Sequence, residues 1–146
     1  MANLSITAAN VIPSEGAVIS SGTVGGTAVT IVAGNLLYKH TDGTLLLATN
    51  ATAVGAAVIG MALGGAGTGQ VVRYVSEDPD LTLGATTAAT TVGDPLYLTT
   101  LGACSILTAD LDIGEFVTFL GITTVANSKI NFKIVASGFA RTTDQI

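Results

Sequence analysis

An internal repeat constrains the architecture of this chain more than any other feature of its sequence. The segment Gly34-Asn35-Leu36-Leu37-Tyr38 is followed, 59 residues further on, by Gly93-Asp94-Pro95-Leu96-Tyr97. The other aligned segments are Gly43–Leu45 with Gly102–Cys104, Ile59–Ala62 with Leu120–Thr123 after a shift of two residues, and Val71–Val75 with Ile130–Ile134. Two copies of a strand module can close one sheet or barrel, so the repeat predicts a scaffold before it predicts any chemistry.

Short runs of Val, Ile, Thr and Leu, separated by Gly, Asp and Asn about every ten residues, predict an all-β fold. The Asp42-Gly43 pair supplies the positive backbone angles of a tight hairpin, and Leu101-Gly102 lies at the equivalent place in the second copy. Strands are predicted near Val29–Val32, Leu36–His40, Thr44–Ala48, Val58–Leu63, Val71–Ser76, Leu96–Thr99, Cys104–Leu107, Phe116–Thr123 and Lys129–Ala136.

At 146 residues the chain has the length of one compact domain. We expect a single β domain over residues 29–141, with repeat one at about 29–76, a connector at 77–91 and repeat two at about 92–136. Residues 142–146 are expected to form a flexible tail. Residues 1–28 belong to neither copy and have little hydrophobic mass, which predicts an extended N-terminal arm. Its apolar residues Leu4, Ile6, Val11 and Ile12 would add as a strand to the sheet edge of a partner.

The composition indicates a protein that contacts other proteins. Hydrophobic residues make up 49% of the chain and charged residues only 10%, well below the roughly 25% that is usual in soluble domains. A net charge of −5 with five scattered basic residues argues against nucleic-acid binding. The single Cys104 excludes an intrachain disulfide, and a cytosolic origin is the default. We expect no membrane span and no signal peptide, because polar residues interrupt the uncharged stretch Thr44–Val72 and the first residues carry no basic charge.

The sequence offers no catalytic constellation, so we expect no enzyme and no cofactor. His40 is the one histidine, and it is predicted to lie at a strand end beside a turn. Cys104 is interpreted as a small buried hydrophobe, without a second ligand for zinc. Two acidic groups, Glu77–Asp80 and Asp110–Glu115, lack the pattern of a helix-loop-helix calcium site, so solvated loops are favoured over a metal site. The glycine-rich Gly64–Gln70 has no Gly-Lys-Ser/Thr ending and is interpreted as a turn.

The order of these motifs resembles a known family. A Gly-[Asn/Asp]-x-Leu-Tyr strand is followed by a hairpin, an Ala-rich loop, a Val-x-Gly-x-Ala strand and a Gly-Gln-x-Val strand. In this sequence they are Gly34–Tyr38, Val58–Ala62 and Gly69–Val72, with Gly114–Thr118 and Leu120–Ile122 in the second copy. The pattern is similar to the decoration, or cement, proteins on the heads of tailed bacteriophages, and it covers the chain from about Leu4 to Ala140.

The resemblance implies a β-barrel or β-tulip fold and a homotrimer on the outer surface of the capsid. The partner would be the major capsid protein, and the trimer would bridge neighbouring capsomers against the pressure of the packaged genome. The protein would be made in the host cytoplasm and located in the virion. Leu4, Ile6, Val11 and Ile12 are the hypothetical capsid-binding residues, and deletion of residues 1–12 is expected to leave a folded domain that no longer binds shells.

Two alternatives belong to other classes. The first is a head fibre or a tail-associated module whose barrel anchors an adhesin. The second is a small hydrolase, for which a bound metal or a loss of activity on replacing Asp110 or Asp112 would be needed.

Overall fold

The chain folds into strands, as the sequence predicts. The computed structural model describes residue 4 and residues 6–83, 90–99, 101–106 and 112–141. Within these ranges there is no α-helix, only a 3-10 turn at Ala8–Asn10. The strands are β1 (Val18–Thr23), β2 (Thr30–Ile31), β3 (Leu36–Lys39), β4 (Leu45–Leu47), β5 (Val58–Ala62), β6 (Ala66–Gly67), β7 (Val71–Thr82), β8 (Pro95–Leu98), β9 (Cys104–Ser105), β10 (Phe116–Val125) and β11 (Lys129–Ala140).

Nine strands form one strongly curled sheet of half-barrel shape. Its order is β4-β3-β5-β7-β11-β10-β8-β9, and β1 pairs with β7 outside this path. The remaining strands, β2 and β6, form a small two-stranded sheet. The prediction of an all-β fold is therefore confirmed.

The long strand β7 joins the two halves of the sheet. Val75 of β7 pairs with Ile19 of β1 and with Met61 of β5, so β1 and β5 lie on opposite sides of β7. Two residues further on, Glu77 pairs with β1 and with Lys133 of β11. β5 and β11 therefore follow one another along the same side of β7, which places the first half of the chain beside the second.

Equivalent hydrogen bonds precede β3 and β8, which lie 59 residues apart. Gly34 and Gly93 both have φ of +96°, a conformation that favours glycine. The N–H of Gly34 donates to the carbonyl of Ala62, and the N–H of Gly93 donates to the carbonyl of Thr123, both at 2.9 Å. These are contacts that two copies of one module would share, although the duplication itself stays a prediction.

The buried side chains form two clusters. The larger, which we call the main core, takes residues from both halves, among them Leu36, Met61, Leu120 and Phe132. The smaller, the first-half core, contains Val24, Ile31, Leu37, Leu45, Ala62, Ala66 and Val72. Because the main core takes residues from both halves, neither half can bury its part of the main core without the other.

The N-terminal segment departs from the prediction of an extended arm. Leu4 and Val11 are buried in the main core, and Leu4 N–H donates to the carbonyl of Cys104 in β9 at 2.8 Å. Ile12 pairs with Thr82, β1 pairs with β7, and Gly25 N–H donates to the carbonyl of Leu45 in β4 at 2.9 Å. The described part of residues 1–28 thus runs along β7 from one edge strand of the curled sheet to the other. The arm prediction is wrong for this part, because the edge of β7 and the open core bind the segment within its own chain.

The predicted connector at residues 77–91 begins too early. β7 continues through Pro79 to Thr82, because Pro79 lies at a bulge between the pairs Phe132–Asp78 and Ile130–Leu81, where a missing N–H is tolerated. Repeat two also extends further than predicted, since β11 ends at Ala140. The predicted flexible tail, 142–146, lies outside the described residues.

Candidate interaction surface

The residue types that often act in catalysis or metal binding have structural roles in this protein. His40 Nδ1 lies 3.2 Å from Asp42 Oδ1 in the exposed β3–β4 turn. Asp42 Oδ1 also accepts hydrogen bonds from the hydroxyl of Thr44 at 2.6 Å and from its N–H at 2.9 Å. These bonds hold the pKa of Asp42 below its usual value, and the bond from the hydroxyl has the largest effect. The arrangement closes a hairpin turn.

Cys104 is a buried free thiol in β9, as the sequence interpretation expected. Burial raises the pKa of this thiol from 9.0 to about 12, so it stays protonated at neutral pH. A protonated, inaccessible thiol is a poor nucleophile and a poor metal ligand.

The acidic residues do not gather into a metal site among the residues that the structure describes. Asp78 is fully buried, and its carboxylate accepts hydrogen bonds from Ser14 and from the N–H of Asp80. Glu115 Oε2 accepts from the N–H of Asp112 at 2.7 Å, while Asp110 lies outside the described residues. Gly64–Gln70, predicted to be a turn, contains β6. In the described residues no helix has the length and hydropathy of a membrane-spanning segment.

The four predicted capsid-binding residues do not form one exposed row. Leu4 and Val11 are only 6% and 7% exposed, and Ile6 packs against the main core. Ile12 is 56% exposed and pairs with Thr82. Of these four side chains, Ile12 is therefore the one that is exposed enough to contact a partner.

Other large hydrophobic side chains are exposed on the described surface, in addition to Ile12. They are Val18, Ile19, Val32, Val54, Val71, Val92, Leu101, Ile113, Ile122, Val125, Val135 and Phe139. Scattered exposed apolar residues are normal, so the informative ones are those that the sheet brings together.

One such group lies on the outer face of β8, β10 and β11. Phe119 of β10 is directly opposite Tyr97 of β8 and Val135 of β11, so these three side chains share a face. The rings of Tyr97 and Phe119 meet edge to face with centroids 6.1 Å apart. In the next row Ile122 lies between Pro95 and Asn131. This outer face is the candidate interaction surface.

Phe139, near the end of β11, is the most exposed of these side chains, at 77%. A bulge in β11 presents it: Gly138 has φ of +72°, and the register with β10 shifts between the pairs Thr118–Ala136 and Phe116–Ala140. The Ser137 hydroxyl fixes the bulge by donating to the carbonyl of Val117 at 2.7 Å and accepting from the N–H of Phe139 at 3.1 Å.

Sequence reasoning missed this surface because it depends on strand register. Ile134 and Val135 are both apolar, so alternation alone does not say which of them faces the core. The one local signal was an aromatic residue, Phe139, directly after Ser137-Gly138 in an otherwise small-residue stretch.

A second apolar feature is a groove of about 280 Å³ beside the β3–β4 hairpin. Tyr38, Leu46 and Leu47 line it together with Leu101, from the turn between β8 and β9. The groove is smaller than a typical ligand pocket of roughly 300–1,000 Å³ and has no charged side chain to orient a substrate.

Comparison with protein-family models, with curated proteins and with solved structures finds no match to this chain. The resemblance to decoration proteins therefore depends on the order of its motifs alone.

Proposed function

We propose that this protein is a structural virion protein that binds the outside of a bacteriophage capsid as a homotrimer and cements neighbouring capsomers. The order of the Gly-x-x-Leu-Tyr and Val-x-Gly-x-Ala motifs supports this proposal, together with the all-β fold. The major capsid protein is the partner, and the outer capsid surface is the location.

The observation that carries the proposal is the combination of exposed apolar side chains with a scarcity of charge. Phe139, Val135 and Ile122 are between 45% and 77% exposed in a chain with only 10% charged residues. Such a surface gains from burial against another protein, at roughly 25 cal/mol for each Å² of apolar area. Weak contacts of this kind become sufficient when many identical copies bind one lattice.

The first test is the number of copies per particle. Quantitative mass spectrometry of purified particles from the source gives the ratio of this protein to the major shell subunit. A ratio near one is expected for a protein that covers the lattice. A few copies per particle would favour the head fibre or tail module, and absence from particles would overturn the virion proposal.

A second test locates the shell contact. We expect Phe139→Ser and Ile12→Ser each to reduce the occupancy of undecorated shells, because both residues present large exposed side chains. Val54→Ser is the matched control, since Val54 is 55% exposed in the loop before β5. Equal occupancy for all three variants would exclude Ile12 and Phe139 as shell contacts.

A further inference from the structure

A row of side chains crosses the outer face of four strands, from β1 to β10, and both of its ends are apolar. Val18 of β1 is opposite Glu77 of β7, and Glu77 is opposite Lys133 of β11. β10 follows on the other side of β11, where Phe119 and Ile122 point outward. The order across the sheet is therefore apolar, acidic, basic, apolar.

These side chains are available to a partner. Val18 is 51% exposed and Ile122 is 45% exposed, while Glu77 and Lys133 are both exposed. Residues directly opposite one another on neighbouring antiparallel strands share a face, so Val18, Glu77 and Lys133 point to the same side of the sheet. No other strand of the described chain covers them, whereas Leu37 and Val72 of the first half are covered in the first-half core.

We propose that two copies of this chain pack these outer faces together about a two-fold axis that runs between β7 and β11, parallel to the strands. Such an axis places Glu77 of each copy over Lys133 of the other. It also places Val18 of each copy over Phe119 and Ile122 of the other. A two-fold contact joins the same patch on both copies, and this patch is complementary to itself in charge and in hydrophobicity.

The charge pattern selects a second copy over an unrelated partner. The chain carries a net charge of −5, which opposes contact between copies at most places on its surface. At this row, in contrast, each acidic side chain meets a basic one. Only a few apolar side chains take part, whereas a standard stable interface buries ~800 Å² per partner, so we expect the association to be weak and concentration-dependent.

Sedimentation equilibrium of the full chain, from ~10 µM to ~1 mM, tests the proposal. The expected result is a mass that doubles as concentration rises, whatever the size of the starting unit, so a trimer formed through other surfaces would double to a hexamer. A mass that does not double over this range would overturn the proposal.

Charge exchange tests the pairing itself. Glu77→Lys and Lys133→Glu should each weaken doubling about tenfold or more, because like charges then face one another across the axis. The double variant Glu77→Lys/Lys133→Glu should restore doubling to within a few-fold of the wild type. Failure of the double variant to recover, while circular dichroism shows a folded protein, would overturn the pairing.

Two further variants separate the apolar contact from the charges. Val18→Ser should weaken doubling, because it removes the side chain that covers Phe119 and Ile122. Lys39→Glu, on an exposed position of β3 in the other half, changes the net charge by as much as Lys133→Glu and should leave doubling unchanged. Equal effects of Lys39→Glu and Lys133→Glu would show that net charge alone governs the association and would overturn the proposed contact. Shell occupancy in the preceding section is a separate readout, so either proposal can fail without the other.

Discussion

At the scale of single residues, Asp78 holds the N-terminal segment against β7. Its carboxylate is fully buried and accepts hydrogen bonds from Ser14 N–H at 2.7 Å, from the Ser14 hydroxyl, and from Asp80 N–H at 2.9 Å. We expect Asp78→Ala to lower the free energy of unfolding by about 2–4 kcal/mol, because these donors lose their acceptor. Urea unfolding followed by circular dichroism measures the change.

Asp80→Ala is the control for Asp78. The Asp80 carboxylate is 54% exposed and pairs with Lys129 Nζ at 3.3 Å, so its removal should cost less than about 1 kcal/mol. If both substitutions lowered stability equally, the hydrogen bonds of Asp78 would not be the reason that the N-terminal segment is held.

Gly121 lies where the backbone leaves no room for a side chain. Its φ is +139°, and a Cβ built there would collide with the backbone carbonyl of Asn131 in β11. We expect Gly121→Ala to destabilise the protein by about 3 kcal/mol or more, since backbone strain adds to the steric conflict. Gly114→Ala, with φ of +94° but nothing within 4 Å of its Cβ, should cost only about 1–2 kcal/mol. Thermal unfolding of the two variants compares them, and an equal loss would contradict the close approach of β10 and β11.

The Cys104 thiol adds a pH dependence to stability at high pH. Its pKa is raised from 9.0 to about 12 in the folded protein, so the folded state binds this proton more tightly than the unfolded state. The stability associated with the thiol is present below pH 9.0 and is lost as the pH rises toward about 12. Urea unfolding between these pH values should therefore show a steeper loss for the wild type than for Cys104→Ala. The two proteins differ only at this thiol, so parallel curves would contradict its burial.

At the scale of the elements, the N-terminal segment closes the curled sheet. Leu4 and Val11 are core residues, whereas Ile12 is more than half exposed. We expect Leu4→Ala to cost about 2–4 kcal/mol and Ile12→Ala less than about 1 kcal/mol, measured by urea unfolding. Deletion of residues 1–12 should leave an unstable protein rather than the folded domain that the sequence suggested. A deletion variant as stable as the full chain would restore the arm interpretation.

Local sequence predicted the strands that alternate or bury both faces, and it missed those that depend on a neighbour. β3 and β5 lie within one residue of their predicted bounds, because Leu36–Tyr38 and Val58–Met61 are apolar runs ended by turns. β1 contains Ser20-Ser21-Gly22 and has no periodicity of its own; it forms because β7 offers an edge. The four predicted capsid-binding residues were grouped by their positions in the sequence. Packing against the main core decides which of them are buried, and local sequence does not show that packing.

At the scale of the whole molecule, the main core and β7 make one folding unit of the two halves. Leu36 and Met61 of the first half are buried together with Leu120 and Phe132 of the second. β7 pairs with β5 through residues 74–75 and with β11 through residues 77–82. Neither half therefore contains a complete main core or a complete sheet of its own, although the repeat would allow two independent modules.

We therefore expect a single cooperative unfolding transition. Phe132→Ala in the main core and Leu37→Ala in the first-half core should lower the free energy of unfolding by about 3–5 and 2–5 kcal/mol respectively. Each should shift the whole transition to lower urea. Hydrogen exchange resolved by residue is the measurement, since amides of β3 and β10 should lose protection together in both variants. If Phe132→Ala exposed only the amides of β8 to β11 while β3 to β5 stayed protected, the halves would be separate units. A shared core predicts that both halves lose protection together, because the void left by Phe132→Ala beside Leu120 also removes packing from Leu36 and Met61.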